Sequence, residues 1–81
     1  MVRGTVRSFS DEEGWGVIGT PEAPEAVFVF FGDIDMAGYK TLEVGHPVDF
    51  ELEGPLPEPL EIEEGQSFRF RAKSVRPPSS P

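Results

Sequence analysis

The chain has no cysteine and one histidine among its 81 residues. Without thiols there is neither a disulfide framework nor a thiolate metal site, and His46 alone cannot assemble a zinc or acid–base constellation. No stretch approaches the roughly 20 apolar residues that span a bilayer, and no charged-then-apolar leader opens the chain. A cytoplasmic protein with no membrane contact is therefore expected. Activated nucleophiles, histidine–carboxylate pairs and glycine-rich phosphate loops are missing too, so neither enzymatic activity nor a cofactor is expected. Basic residues are scarce: seven Lys and Arg stand against 15 Asp and Glu, a net charge of −8. That sign opposes the basic patch that usually marks a phosphate-binding surface.

What the chain does have is aromatic side chains at alternate positions. Two short runs, Glu13-Gly14-Trp15-Gly16-Val17-Ile18 and Val27-Phe28-Val29-Phe30-Phe31, each read as a strand. Successive side chains of a strand point to opposite faces, so Trp15 shares a face with Val17, and Phe28 with Phe30. Ile18, Val27 and Val29 supply the opposite, inward set. The intervening Gly19 to Ala26, with two prolines and two acids, suits a loop joining antiparallel neighbours. Three or four rings then line up on one surface. Each base of a single-stranded nucleic acid can stack on such a ring for about 1–3 kcal/mol. A core role for any one of these rings is the competing reading. Because Phe30 and Phe31 are adjacent, at least one of them faces away from the core.

Elsewhere the period-two pattern recurs. Val2, Gly4 and Val6 alternate with Arg3, Thr5 and Arg7, and Phe9 breaks the alternation as a bulge or strand end would. Ser10 to Gly14 is a turn with an acidic tip. Residues 32–38 are too few for a full helix and predict one helical or 3₁₀ turn. Val48, Phe50 and Leu52 alternate with Asp49, Glu51 and Glu53, whereas Gln66 to Val75 alternates Phe68, Phe70 and Ala72 with Arg69, Arg71 and Lys73. One strand turns only acids outward and the other only bases, so a paired, mutually neutralising ladder is the simplest arrangement. A phosphate-binding stripe is the alternative.

Residues 54–65 form an acidic, proline-rich connection. Pro55, Pro57 and Pro59 favour an extended conformation and exclude a central strand. Three readings stand: a solvated loop, a segment folded back on the barrel through Leu56, Leu60 and Ile62, or a partner motif. Eighty-one residues make one domain. The expected organisation is a folded unit over 1–76 and a disordered tail over 77–81. Five strands with a long third connection, and no helix beyond one turn, predict an all-β protein, a small five-stranded antiparallel barrel of the OB type.

From Val2 to about Val75 the chain resembles the cold-shock domain family. The resemblance rests on Gly4-Thr5-Val6-Arg7-Ser8-Phe9, the two aromatic runs, Gly32-Asp33-Ile34, and the stretch from Gly38-Tyr39-Lys40-Thr41-Leu42 to Val48-Asp49-Phe50. It implies single-stranded RNA or DNA binding through stacking on Phe9, Trp15, Phe28, Phe30, Phe31 and Tyr39, with backbone contacts from Arg7 and Lys40. Tyr39 is a stacking position by resemblance; from its own surroundings it could equally anchor a loop. Four departures alter the family pattern. Ser8 stands where the family has tryptophan, Glu13 where it has lysine, Val17 where it has an aromatic, and Phe30 where it has histidine. The family connection at 54–65 is also much shorter. The rival expectation is a barrel impaired in nucleic-acid binding that holds a protein partner or a second copy of itself through its aromatic face or through residues 54–65.

Overall fold

The computed structural model describes residues 1–35, 41–63 and 65–78. Its strands are β1 (Val2–Ser10), β2 (Trp15–Gly19), β3 (Val27–Phe30), β4 (Pro47–Glu53), β5 (Leu60–Glu63), β6 (Gln66–Phe68) and β7 (Phe70–Arg76). Five of them close a barrel in the order β1-β2-β3-β7-β4, and β5 with β6 makes a separate two-stranded sheet. This is the expected all-β barrel of the OB type. A ring of five strands cannot alternate direction all the way round, so at least one neighbouring pair must run parallel. That pair is β3 with β7, where Val27 meets Phe70 and Phe28 meets Arg71. The other four joints are antiparallel.

Alternation fills the barrel. Ile18, Val27, Val29, Phe50 and Val75 have no solvent exposure, and Val6 and Ile34 have almost none. In β1 the register runs from Val6↔Ile18 to Ser8↔Val17, which leaves Arg7 as the extra residue of a bulge. The bulge resets the alternation: Val6 points inward before it and Phe9 after it. Phe9 is half-buried and packs against the core, its ring against Gly16. A Cβ at Gly16 would collide with the Ser8 carbonyl oxygen and the Phe9 ring, so this position needs glycine for close approach of two strands.

The acidic and basic strands do pair. Across β4 and β7, Asp49 faces Arg76, Glu51 faces Lys73 and Glu53 faces Arg71. Arg71 reaches Glu53 at 3.2 Å and Asp33 at 3.5 Å, and Arg76 reaches Asp35 at 3.3 Å. On the other side of β4, Arg3 grips the buried Asp49 with two hydrogen bonds, Nε to Oδ1 at 2.8 Å and Nη2 to Oδ2 at 3.3 Å. Those bonds, then the carboxylate's charge, hold the Arg3 guanidinium above its ordinary pKa. The basic stripe of β7 is thus tied into the barrel wall.

Two features differ from the sequence reading. The expected continuous strand from Gln66 to Val75 is broken at Arg69, whose carbonyl accepts the Leu56 N–H at 2.7 Å. Residues up to Phe68 therefore belong to the β5–β6 hairpin rather than to the barrel. The proline-rich connection is correspondingly not irregular throughout: its end is strand β5, and Leu56, Leu60 and Ile62 are half-buried. Alternating Leu60 and Ile62, followed by Gly65, carry that strand and its turn. The short helical element is a 3₁₀ turn over Phe31–Asp33, earlier than expected, and residues 36–38 lie outside the described residues. Of the expected tail over 77–81, residues 79–81 also lie outside them. Among the described residues no helix is long and apolar enough to cross a membrane.

The charge ladder is open to test. Glu51→Lys places like charges opposite Lys73 and should lower stability in urea unfolding by about 0.2–1 kcal/mol. The double reversal Glu51→Lys/Lys73→Glu should restore most of the loss.

Candidate nucleic-acid interface

Because Gly16, Ile18, Val27 and Val29 face inward, Trp15, Val17, Phe28 and Phe30 share the outer face of β2 and β3. The register sets Trp15 directly opposite Phe30 and Val17 opposite Phe28. Trp15 and Phe28 lie diagonally, ring centroids 5.8 Å apart and 33° from parallel. Phe31 begins the 3₁₀ turn and packs on Phe30 at 4.9 Å. Its N–H donates to the Gly14 carbonyl at 2.7 Å, and its ring lies against Gly14, which has a positive φ of 80° and no room for a Cβ. The β1–β2 turn and the end of β3 are thereby locked together on either side of Trp15.

Exposure along this row is uneven. Phe30 and Phe31 are 44% and 47% exposed, and Trp15 is half-buried. Phe28 is only 8% exposed although it points away from the barrel core. The cover is Phe68, from the β5–β6 hairpin, which stands 5.6 Å from Phe28 and edge-on to Trp15 at 6.0 Å. Period-two alternation groups Phe68 with the inward residues of a single long strand. The break at Arg69 sends it to the outer face instead, and the alternating Leu60-Glu61-Ile62-Glu63 ahead of Gly65 was the signal for that hairpin.

The remaining expected site residues are spread around this row. Arg7 is exposed at the β1 bulge, its guanidinium lying across Gly19, two positions beyond Val17 on the same face. It has no ion pair among the described residues. Phe9 contributes more to the core than to the surface. Tyr39 and Lys40 lie outside the described residues. Ser8 is exposed beside Val17, so the two positions that lack an aromatic adjoin one another. Exposed Asp11, Glu12 and Glu13 form the turn that leads into Trp15, and Asp11 accepts a 2.6 Å hydrogen bond from the Thr41 hydroxyl. His46 is exposed near Glu43, 3.3 Å away, remote in the chain from the aromatic row.

The fold and its outer face together define a small OB-type barrel that presents aromatic rings on two neighbouring strands. Residues 2–56 match the family model of the "cold-shock" DNA-binding domain, and the chain belongs to the cold-shock domain family. Relatives include a cold shock-like protein of Aquifex aeolicus (strain VF5), 46% identical over 50 residues that make up 62% of this chain and 71% of that protein. The major cold shock protein of Streptococcus pyogenes serotype M6 is 45% identical over 53 residues, 65% of this chain and 78% of that protein. Cold shock protein CspA of Staphylococcus aureus (strain USA300) is 46% identical over 52 residues, 64% and 77% of the two chains. The family match takes in β1 to β4 and stops at Leu56, before the β5–β6 hairpin.

The uneven exposure predicts uneven sensitivity. Phe30→Ala should shift unfolding free energy by about 0.5 kcal/mol or less, as for a surface site. Phe28→Ala should cost about 3 kcal/mol or more in the same denaturant titration, as for a buried ring.

Proposed function

We propose that the outer face of β2 and β3 binds single-stranded nucleic acid, RNA or DNA, chiefly by base stacking. The observation that carries this reading is the exposed pair Phe30–Phe31 beside Trp15, on the two strands where the chain matches the cold-shock family. A ring offers every base the same flat partner, so such a surface tolerates sequence variation. The proposed contacts are stacking on Trp15, Phe30 and Phe31, and on Tyr39 by resemblance, with Phe9 and Phe28 as further rings of the site. Arg7 and Lys40 are the proposed backbone contacts.

Charge decides how the binding works. Arg3, Arg71 and Arg76 are engaged by carboxylates of the same chain, and the turn before Trp15 is acidic. Few cations remain to displace counterions, so stacking supplies most of the affinity. Phosphates passing Asp11 to Glu13 are repelled over roughly 10 Å at 0.1 M salt. The chain thus combines a sequence-tolerant surface with weak electrostatic attraction.

Short pyrimidine single strands should quench Trp15 fluorescence saturably. The affinity should fall with salt at a log–log slope of about −0.7 to −1.4, one or two phosphates at about 0.7 each. A slope of −4 or steeper would mean that cations, not rings, dominate. Glu13→Lys should tighten binding severalfold at low salt. If strands leave the emission unchanged, while raising the protein concentration shifts it, the face is a self-association surface instead.

A further inference from the structure

Phe28 poses a geometric problem for a stacking surface. It alternates with Val27 and Val29, points out of the barrel and takes no part in the barrel's core cluster, yet it is 92% shielded from solvent, being 8% exposed. Two aromatic rings of the same chain stand against it, Trp15 on the neighbouring strand and Phe68 from outside the barrel. Phe68 lies 5.6 Å from Phe28 at 42°, a tilted ring-on-ring contact, and completes a triangle with Trp15 whose other sides are 5.8 and 6.0 Å. Phe68 is itself only 9% exposed, so it offers no open face to replace the one it covers.

The element that delivers Phe68 is separate from the barrel. β5 and β6 pair only with one another among the described strands, with Leu60 opposite Phe68 and Glu61 opposite Ser67. Between Pro55 and Phe68 the chain carries Glu58, Glu61, Glu63 and Glu64 and no Lys or Arg. A strand continuing over Phe28 would therefore meet both a filled ring position and a like-charged hairpin. Lifting the hairpin would expose two rings to seat one base, which exchanges ring–ring contact for base–ring contact and leaves Phe68 in water.

We infer that Phe68 is a built-in occupant of the base position over Phe28, and that the β5–β6 hairpin thereby shortens the nucleic-acid footprint to the part of the face formed by Trp15, Phe30 and Phe31. This rests on the single-strand reading above and adds to it the extent of the site. The occluded position is one nucleotide, because one ring is covered. Chains of this fold with the hairpin trimmed should regain it.

Oligothymidylates of two to seven nucleotides, titrated against the 81-residue chain and its Phe68→Ala variant, test the inference. Phe68 lies outside the core cluster but is as buried as Phe28, so circular dichroism and thermal melting check that the variant folds. Phe68→Ala is expected to bind about 5- to 150-fold tighter, the worth of one base stack, and to reach its plateau affinity with one more nucleotide. Phe28→Ala, checked for folding in the same way, should abolish the gain in the Phe68→Ala background. Should Phe68→Ala not fold, a variant with residues 56–68 replaced by a short glycine-containing turn is read by the same criteria. Weaker or unchanged binding by the folded variant overturns the inference and leaves the single-strand reading standing. Failure of the wild type and every folded variant to bind any strand overturns both.

Discussion

Closing five short strands around one core imposes a rule on every residue of β2 and β3: a side chain is either inside the barrel or outside it, by turns. Ile18, Val27 and Val29 take the inside completely. Once they do, Trp15, Phe28 and Phe30 have no choice but the outer face, and the β2–β3 register brings them side by side. Gly16 contributes by letting β1 approach so closely that its position has no room for a side chain. The aromatic surface is thus a by-product of barrel closure, and its rigidity is that of the core beneath it.

The same closure disposes of charge. β4 sits between β1 and β7, so its outward acids meet basic residues on both sides, Arg3 across one seam and Arg71, Lys73 and Arg76 across the other. The more exposed pairs of the β4–β7 seam contribute little stability individually. Their larger effect is on binding: guanidinium groups held by carboxylates are poor phosphate ligands. A chain with net charge −8 can present a stacking surface, but its long-range field works against a polyanion. On the proposed reading, affinity comes at contact distance, from rings.

Most of the barrel was legible because period-two alternation is a strong signal where one face of a strand is buried. The inward valines, the bulge near Phe9 and the pairing of an acidic with a basic strand all follow from it. The hairpin was not legible in the same way. Phe68 has the same parity as Phe70 and Ala72, and pattern alone extends one strand through all three. A single backbone hydrogen bond, from Leu56 to the Arg69 carbonyl, accompanies the break, and parity counting cannot see it. Three alternating prolines also pointed away from ordered structure, although they precede Leu60 and leave β5 untouched. The consequence falls on the site. Phe28, sought on an open surface, lies under a ring that looked like core, while the open rings are Phe30 and Phe31.

The central claim is that nucleic acid engages rings on the outer face of β2 and β3 rather than the charged wall of β4 and β7. Aromatic and backbone NMR resonances, followed while a heptathymidylate is added to labelled protein, address it most directly. Saturable shifts should concentrate on Trp15, Phe30 and Phe31, with those of Glu51, Glu53 and Lys73 unmoved. Shifts confined to β4 and β7, or none at the three rings when the strand is saturating, would contradict it.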